Sequence, residues 1–302
     1  MRSVLGIRVL CAVEVQGSFS GAATALGMTQ SAVSQHIAAL ERQVGLELVL
    51  RGTRPTELTP AGGVLASHGQ AVSARLTAAE RDLDEVVGRG GRHLRLGSFP
   101  SALATFVPRA IARLRATIPE VTLSVTDDHM QGLLPRLRDR ELDLAVVFSG
   151  DELPGTLADD LHVVPLFADP YQLLLPRNHR LARRDRDPIL RDLREESWVG
   201  GGPHSTWFRL VRECCRAQGF EPRIALASDD YLAVQAFVAA GLGVAVLPGL
   251  AAARHLSGVR ARALPAPLPV RHIGVAHPRG PFQPLAARAM VRILQESTSD
   301  RR

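Results

Sequence analysis

The chain has 302 residues, 46% of them hydrophobic and 22% charged, which favours two or three folded domains over global disorder. Its formal net charge is +6, all 36 basic residues are arginine, and the three cysteines are too few for a disulfide framework and lack the spacing of metal ligands. No signal peptide is evident, since Arg8 and Glu14 interrupt the first apolar stretch, so we expect a reducing, cytoplasmic setting. We also expect no metal and no cofactor.

The first 60 residues predict a compact helical domain. Apolar residues at helical spacing predict a helix from Val4 to Val15, which Gly17 and Ser18 end. A short helix over 20–26, a turn at 27–29 and a longer helix over 30–44 follow, with Thr29 and Gly45 suited to its two ends. Such a unit is a helix-turn-helix, which places its second helix in the major groove of DNA.

The helix predicted over 30–44 has an apolar stripe and, opposite it, short polar side chains. Gln35 can pair with adenine N6 and N7, and Ser34 can bond several bases. Two short extended pieces follow and predict a β-wing, whose Arg51 and Arg54 would reach phosphates or a minor groove. The alternatives are a surface helix with a polar back and an ordinary solvated turn.

Residues 60–88 form a long amphipathic pattern that predicts a dimerising helix. The heptad positions are Leu65, Val72, Ala79 and Val86 in one register and Gly69, Leu76 and Leu83 in the other. The alternative is a long helix packed on its own domain. Glycines at 88, 90 and 91 predict a linker after the helix.

From residue 93 onward, alternating strands and helices predict an α/β fold. The first unit has strands over 94–97, 121–125 and 142–148 and helices over 101–117 and 131–138. The second has strands at 163–167, 172–175, 198–200, 224–227 and 243–247 and helices over 205–218 and 231–240. A last strand over 272–277 and a helix over 284–296 can rejoin the first unit, which gives two lobes with a hinged cleft for a small ligand.

The segment 236–253 has no charged residue over 18 positions, close to the length of a membrane span. It is rich in alanine and glycine and contains Pro248, so a buried helix followed by a buried strand is predicted and no membrane partner is expected.

These residues resemble the LysR-type transcriptional regulators along essentially the whole chain. The most specific match is residues 19–41, FSGAATALGMTQSAVSQHIAALE, continued by Gly45, Leu48, Arg51, Leu58-Thr59 and Ala61-Gly62. Two further matches follow in the family's order: residues 132–145, ending in ELDLA, and residues 238–248, VAAGLGVAVLP. Val49 departs from the family, which usually has phenylalanine there, and we expect it to loosen wing packing but to remove no DNA contact.

The resemblance implies a winged helix-turn-helix over 1–60, a coiled-coil linker helix over 61–90 and an effector-binding domain over 91–302 that resembles periplasmic solute-binding proteins. Lobe 1 would comprise about 91–164 plus 269–302, and lobe 2 about 165–268. The implied partners are double-stranded operator DNA, a small-molecule effector, RNA polymerase and further copies of the chain in a dimer of dimers. Carried over by position, the DNA contacts fall on Gln30, Ser31, Ser34, Gln35, Arg51 and Arg54. The dimerisation residues are Leu65, Val72, Leu76, Ala79, Leu83 and Val86.

The family's effector cleft lies between the lobes, and a carboxylate or an aromatic ligand is expected there. The matching positions are Ser98, Pro100, Ser101, His129, Met130, Gln131, Phe148, Gly201, His204, Ser205, Asp229, Asp230 and Tyr231. Ser101 could bind a carboxylate at a helix N-terminus or be a plain N-cap. His204 could pair with an anion or be a solvated loop histidine, and the two aspartates could receive an amine or cap the following helix.

An enzyme is not expected, because the chain has no P-loop, no GxGxxG after a strand, no HExxH and no GxSxG. The run Gly200-Gly201-Gly202 could cradle a phosphate, but a glycine run alone is weak evidence for a phosphate site. The absence of lysine excludes a pyridoxal Schiff base. A solute-binding protein without DNA function is a further alternative. A thiol redox sensor of the same architecture is another, but Cys214 and Cys215 lie adjacent on a predicted helix, which favours structural burial.

The net charge does not locate the DNA-binding region. Residues 1–60 have five arginines against four acidic residues, whereas residues 93–302 have 27 against 22. Seven arginines and three aspartates cluster over 177–194, which predicts a solvated surface or a contact for another subunit. The DNA-binding prediction therefore depends on helix-turn-helix geometry rather than on charge.

Overall fold

The computed structural model describes residues 4–50, 52–53, 55–86, 93–150, 160–183, 187–202, 205–264, 270–279 and 283–298. The chain divides into two compact units, residues 1–90 with 135–142 and residues 91–134 with 143–302. The helices of the first unit are α1 Val4–Gln16, α2 Phe19–Leu26, α3 Gln30–Val44 and α4 Pro60–Val86.

Local capping explains why α2 and α3 begin and end where they do. Ser18 caps α2 by accepting the amide hydrogen of Gly21, and Thr29 caps α3 in the same way for Ala32. Gly27 and Gly45 follow the two helices with φ of 63° and 75°, a left-handed conformation that glycine adopts without steric cost. The helix-turn-helix predicted from the sequence is therefore confirmed.

The wing is a short antiparallel bridge between Val49 and Leu58. The Leu50 amide donates to the Glu57 carbonyl at 2.9 Å, and the Thr59 amide donates to the Leu48 carbonyl at 3.0 Å. Val49 is 2% exposed, so this shorter side chain remains inside the core that α1–α3 form.

Two glycines allow α4 to pack closely on the rest of the first unit. A Cβ on Gly69 would lie 2.2 Å from Ile7 Cγ2 on α1, and a Cβ on Gly62 would lie 2.0 Å from the Leu48 carbonyl oxygen. The Gln70 amide also donates to the Glu14 carboxylate on α1 at 2.9 Å. Gly69, which interrupts the apolar heptad pattern, is therefore explained by close packing between α1 and α4.

The described residues after α4 form nine strands, seven α-helices and two short 3-10 helices, Arg180–Arg183 and Leu190–Leu193. The strands are β1 His93–Ser98, β2 Thr122–Asp127, β3 Leu144–Ser149, β4 Leu161–Pro176, β5 Ser197–Gly200, β6 Arg223–Ala227, β7 Ala245–Pro248, β8 Val259–Ala263 and β9 Val270–Pro278. The helices are α5 Pro100–Leu103, α6 Val107–Thr117, α7 Met130–Arg138, α8 Thr206–Ala217, α9 Tyr231–Ala239, α10 Gly249–Ala252 and α11 Leu285–Thr298.

One long strand, β4, belongs to both halves of the sheet. The strand order is β2-β1-β3-β9-β4-β7, with β8 also paired to β4, and a separate sheet joins β5 to β6. Residues 161–170 of β4 pair with β9, and residues 171–176 pair with β7 and β8. Two separate hydrophobic cores accompany these halves, one around Leu96 and Ile273 and one around Leu174 and Trp198. The prediction of two α/β lobes is confirmed.

Three details of the predicted pattern are wrong. The helix predicted over 101–117 is two helices separated by a turn at 104–106, because Pro108 has no amide hydrogen and its ring excludes the preceding helical turn. The strands predicted at 163–167 and 172–175 are one strand, in which a register shift between Pro165 and Phe167 accommodates a proline. Strand β8 and helix α10 were not predicted.

The uncharged segment 236–253 contains the end of α9, the buried strand β7 and α10, as the prediction of a helix followed by a strand requires. No single helix among the described residues is long and apolar enough to cross a membrane. Helices α1 and α2 reach the required length and composition only as a pair, and the chain bends by 120° between them.

Candidate DNA-binding face and effector site

Helix α3 buries one face and exposes the other. Val33, Ile37 and Leu40 are buried in the core of the first unit. The four DNA-contact candidates on this helix are all exposed: Gln30, Ser31, Ser34 and Gln35. Ser31 Oγ lies 3.0 Å from Thr29 Oγ1, whereas the other three side chains have no hydrogen-bond partner among the described residues. Their amides and hydroxyls are therefore available to an external donor or acceptor.

A concave groove of about 700 Å³ lies between α2, α3 and the wing. It brings Gln30 and Ser34 of α3 together with Thr53 and Thr56 of the wing and Ser20 of α2. The two predicted wing contacts, Arg51 and Arg54, lie outside the described residues.

The predicted dimerisation seam has two parts. Leu65 packs against the core of the first unit. At this position, therefore, the helix packs on its own domain, which was the alternative to a dimer contact. Val72, Leu76, Ala79 and Leu83 are exposed, and Leu83 is 66% exposed. The side chain of Val86 lies outside the described residues.

Ser98 and Ser101 are both buried at the end of β1 and the start of α5. Helix α5 begins at Pro100 with Phe99 as its N-cap, so the alternative of Ser101 as the N-cap is wrong. Ser101 Oγ instead accepts a hydrogen bond from Arg271 Nη2 at 3.3 Å, and Pro100 beside it is exposed.

A buried ion pair that the sequence did not reveal joins β4 to β9. Arg271 donates through Nε and Nη2 to Asp169 Oδ2, at 2.9 and 2.5 Å, and the two side chains are 2% and 4% exposed. Asp169 Oδ1 accepts the amide hydrogen of Leu250 in α10 at 2.8 Å. The guanidinium carbon of Arg271 lies 5.3 Å from the ring centre of Phe99 and 5.0 Å from that of Phe148.

The remaining lobe 1 candidates have different environments. Phe148 is half-buried and meets Phe99 edge-on at 5.0 Å, so it belongs to the cluster around Arg271. His129, Met130 and Gln131 lie at the start of α7 and have no hydrogen bond to this cluster within the described residues. Asp128 accepts the His129 amide at 2.7 Å.

The glycine run of lobe 2 packs closely against side chains. A Cβ on Gly200 would overlap the Phe208 ring, and one on Gly201 would lie 2.2 Å from Ser205 Oγ. The Gly202 amide already donates to Asp229 at 3.1 Å. Close packing therefore accounts for Gly200 and Gly201, and the Gly202 amide already has a partner in Asp229.

Polar groups at the start of α8 and α9 complete the candidate set. Ser205 and Trp207 are each 8% exposed, and neither Ser205 Oγ nor Trp207 Nε1 has a hydrogen-bond partner within the described residues. His204 lies outside the described residues. Asp230 caps α9 by accepting the Leu232 amide at 2.8 Å, which confirms the capping alternative for this residue, and Asp229 binds the glycine loop.

Two tyrosines face the ion pair from lobe 2. Tyr231 meets Trp207 edge-on at 5.9 Å, and Tyr171 is buried at the point where β4 enters lobe 2. Burial raises the pKa of both hydroxyls, an effect that the nearby positive charge of Arg271 only partly offsets. Both groups are therefore neutral hydrogen-bond donors at neutral pH. The structure thus places Ser101 and Phe148 in contact with Arg271, and the charges of the ion pair act on the pKa of Tyr231.

Of the three cysteines, Cys215 is buried, whereas Cys11 and Cys214 are half-buried. Cys11 donates to the Ala66 carbonyl in the first unit. Cys214 and Cys215 are adjacent on α8, and burial raises the pKa of both thiols, that of Cys215 to about 12.

The arginine-rich segment 177–194 is extensively paired. Arg180 binds Glu196 at 2.7 Å, and Arg194 donates to the Gly219 carbonyl at 3.0 Å. Arg183 donates to Asn178 at 3.1 Å. These local partners fit a solvated surface of the lobe.

A helix-turn-helix unit followed by a two-lobed α/β unit defines a class of DNA-binding regulators with a ligand-binding domain. Comparison with known families agrees. The model of the bacterial regulatory helix-turn-helix protein, lysR family, matches residues 6–63, and the model of the LysR substrate binding domain matches residues 88–299. The chain belongs to the LysR family: it is a LysR-type transcriptional regulator and not an enzyme.

Two mycobacterial relatives carry the name probable hydrogen peroxide-inducible genes activator. The protein from Mycobacterium avium is 36% identical over 284 residues, covering 90% of this chain and 87% of the relative. The protein from Mycobacterium leprae is 31% identical over 307 residues, covering 98% and 94%.

Solved structures share the fold over nearly the whole chain. A full-length OxyR variant from Pseudomonas aeruginosa has a TM-score of 0.69 at 22% identity, covering 99% of this chain and 98% of that one. Full-length CbnR in complex with its target DNA has a TM-score of 0.68 at 22% identity, with coverage of 98% and 99%.

Proposed function

We propose that this regulator binds operator DNA through α3 and the wing, and that a small molecule bound between the two lobes changes this binding. The observation that carries the proposal is the exposed face of α3, where the side chains of Gln30, Ser34 and Gln35 have no hydrogen-bond partner among the described residues and the first two line a concave groove. A helix with such a face is suited to the major groove, because amide and hydroxyl groups can read base edges there.

We assign the side chains of this face to two tasks. Gln35 pairs with adenine, and Ser34 bonds a neighbouring base. Gln30, Ser31, Arg51 and Arg54 bind the DNA backbone or the minor groove and so fix the position of α3 in the major groove. Because the two arginines of the wing bind phosphates, the affinity for DNA should fall as the salt concentration rises.

The proposed response to an effector uses the two lobes that β4 connects. A ligand held between the lobes favours one of their relative arrangements, and it changes DNA binding to the extent that it binds that arrangement better. We infer that the chain acts in the cytoplasm as a dimer of dimers, with exposed apolar residues of α4 in the dimer contact, and that it contacts RNA polymerase at promoters.

The DNA-binding proposal is tested by a matched pair of glutamine variants. Operator sequences are first selected from random double-stranded DNA with the full-length protein, and affinity is then measured by fluorescence anisotropy at one fixed salt concentration. Gln35→Ala should weaken binding by about 5- to 150-fold, since a bidentate base contact is worth about 1–3 kcal/mol.

Gln43→Ala is the control, because Gln43 is also exposed on α3 but lies near its C-terminal end. The control variant should bind the selected DNA with wild-type affinity. Unchanged binding by the Gln35 variant, or an equal loss in the Gln43 variant, would contradict the docking of α3 in the major groove.

A second candidate function is a thiol-based oxidant sensor, which the names of the two mycobacterial relatives favour. Sensor cysteines are accessible thiolates with a low pKa and a resolving partner. Here burial raises the pKa of Cys11, Cys214 and Cys215. The chemistry of the thiols therefore favours a bound effector over oxidation as the signal, and thiol reactivity separates the two functions.

A further inference from the structure

Two histidines face each other across strands β4 and β9 in lobe 1. His162 and His277 are direct partners in the strand register, and their ring centres lie 5.0 Å apart with the ring planes tilted by 53°. His162 is exposed and His277 is half-buried, so solvent reaches the pair. The sequence did not predict this contact, because the two strands are distant in the chain and meet only through their register.

The distance between the two rings fits a shared metal ion. In a tetrahedral site with metal–nitrogen bonds of about 2.0–2.1 Å, each imidazole centre lies about 3 Å from the ion, and the two centres lie about 5 Å apart. The two histidines can therefore bind one ion without movement of the strands. Imidazole nitrogen is a ligand that Zn²⁺, Cu²⁺ and Ni²⁺ share, whereas Mg²⁺ and Ca²⁺ prefer oxygen.

The hydrogen bonding of His277 determines which of its nitrogens carries the proton. Its Nδ1 lies 3.1 Å from the Pro278 carbonyl oxygen, and since a carbonyl oxygen only accepts, Nδ1 is the donor. The lone pair of the neutral ring is then on Nε2. A histidine that binds a metal through one nitrogen usually donates its other N–H to a carbonyl or carboxylate, and His277 has this arrangement.

The backbone holds both strands in place on either side of the histidine pair. Towards the end of the sheet, the Arg279 amide donates to the Asp160 carbonyl at 3.0 Å, and Arg279 Nε donates to the Leu161 carbonyl at 3.2 Å. The next pair on the same face, Val164 with Val275, packs in the core of lobe 1. Binding of an ion therefore requires the ordering of two side chains but of no backbone, which keeps its entropic cost small.

Another histidine with a close acidic neighbour, His179, has a different arrangement. Its Nδ1 accepts the Leu181 amide at 3.2 Å, so its proton is on Nε2, which lies 3.2 Å from Glu196 Oε2. Both ring nitrogens of His179 are therefore engaged within lobe 2. No group of three or more potential metal ligands occurs among the residues that the structure describes, so an ion bound to the His162–His277 pair completes its coordination with water.

We propose that His162 and His277 together bind one divalent transition-metal ion on lobe 1. The two imidazoles are its protein ligands, and water occupies the other coordination positions. Cu²⁺ binds more tightly than Zn²⁺, as the general order of affinities requires, and Mg²⁺ does not bind. The ion joins β4 to β9 and so stabilises lobe 1. This site does not depend on the proposed DNA or effector binding.

The test is calorimetric titration of the full-length protein, without a polyhistidine tag, with CuCl₂, ZnCl₂ and MgCl₂. One Cu²⁺ or one Zn²⁺ should bind at the pair, and Mg²⁺ should not. His162→Gln and His277→Gln should each weaken Zn²⁺ binding by at least about tenfold, because a single imidazole loses the advantage of two linked ligands. Since His162 is exposed, its variant should fold even in the case in which the His277 variant does not.

His255→Gln is the control variant. His255 is an exposed histidine whose Nδ1 also lies 3.2 Å from a backbone carbonyl oxygen, that of Ala252, but no second histidine ring contacts it within the described residues. This variant should bind Zn²⁺ with wild-type affinity. Electron paramagnetic resonance of protein with less than one equivalent of Cu²⁺ should show coupling to two nitrogens in the wild-type protein and to one nitrogen in His162→Gln.

The proposal is wrong if neither Cu²⁺ nor Zn²⁺ binds the wild-type protein, or if Mg²⁺ binds as tightly as Zn²⁺. It is also wrong if both variants of the pair retain wild-type affinity for Zn²⁺, or if the His255 variant loses as much affinity as they do. A wild-type Cu²⁺ spectrum with coupling to only one nitrogen would exclude a shared ion. Operator binding by the same samples tests the proposed function separately, so the two failures are distinguishable.

Discussion

Gly62 and Gly63 are adjacent in the first turn of α4, yet replacing them with alanine should have opposite effects on stability. A Cβ at Gly62 would lie 2.0 Å from the carbonyl oxygen of Leu48 and 3.2 Å from Leu58 Cβ, while a Cβ at Gly63 meets nothing within 4 Å. The Leu48 carbonyl also accepts the Thr59 amide at 3.0 Å, so a methyl group there displaces a hydrogen bond of the wing.

The expected magnitudes follow from these distances. Overpacking at Gly62 costs about 1–3 kcal/mol, and loss of the Thr59 hydrogen bond adds about 1 kcal/mol. The better helix propensity of alanine offsets at most about 1 kcal/mol of this cost, so Gly62→Ala should destabilise the first unit by about 1–3 kcal/mol. Gly63→Ala gains the same propensity without a clash and should stabilise it by about 0.5–1 kcal/mol.

Hydrogen exchange measured by mass spectrometry is the appropriate assay, because both tryptophans lie in the second unit and do not report on the wing. Gly62→Ala should speed exchange of the Leu50 and Thr59 amides by about tenfold, which corresponds to about 1.4 kcal/mol of easier opening. Gly63→Ala should leave these rates unchanged or slower. Equal rates in the two variants, or wild-type rates in Gly62→Ala, would refute the explanation by close packing.

Two further predictions concern the thiols and the exposed seam of α4. Because burial raises the pKa of Cys215 to about 12, its thiolate forms only as the pH rises towards that value. Iodoacetamide at pH 8 should therefore alkylate Cys215 at least about a hundredfold more slowly in native than in unfolded protein, as followed by mass spectrometry. Equal alkylation rates would support the oxidant-sensor function instead. Leu76→Asp or Leu83→Asp should weaken self-association in sedimentation velocity, since both side chains are exposed along the predicted dimer contact. The control variant, His68→Asp, should leave self-association unchanged. An undiminished dimer in both leucine variants would exclude this part of α4 from the interface.

Where structure is determined locally, the sequence sufficed to predict it. Helix α3 has the predicted bounds because its caps, Thr29 and Gly45, are next to the residues they cap. The helix predicted from residue 101 was too long because apolar periodicity was given more weight than Pro108, whose missing amide hydrogen ends the pattern. The polar face of α3 could be predicted for the same local reason, since residues three and four apart share a face.

The centre of the effector site was missed because its members come from distant parts of the chain. Asp169 and Arg271 are 102 positions apart and meet only through the register of β4 against β9. A signal was available, since each strand carries a single charged residue close to apolar neighbours, and a buried charge requires a partner. The sequence alone could not show which charged residue is the partner, because that depends on the register in which the two strands pair.

The continuity of β4 determines what kind of motion the effector unit can make. An extended strand is already near its maximum length, so the lobes cannot separate along it, whereas rotation about its axis needs only small changes of backbone dihedral angles. Where β4 changes partners, Pro170 and Pro248 have no amide hydrogen to donate to the strand pairing. An effector signal in this protein is therefore expected to be a change of angle about one strand rather than a change of distance between two lobes.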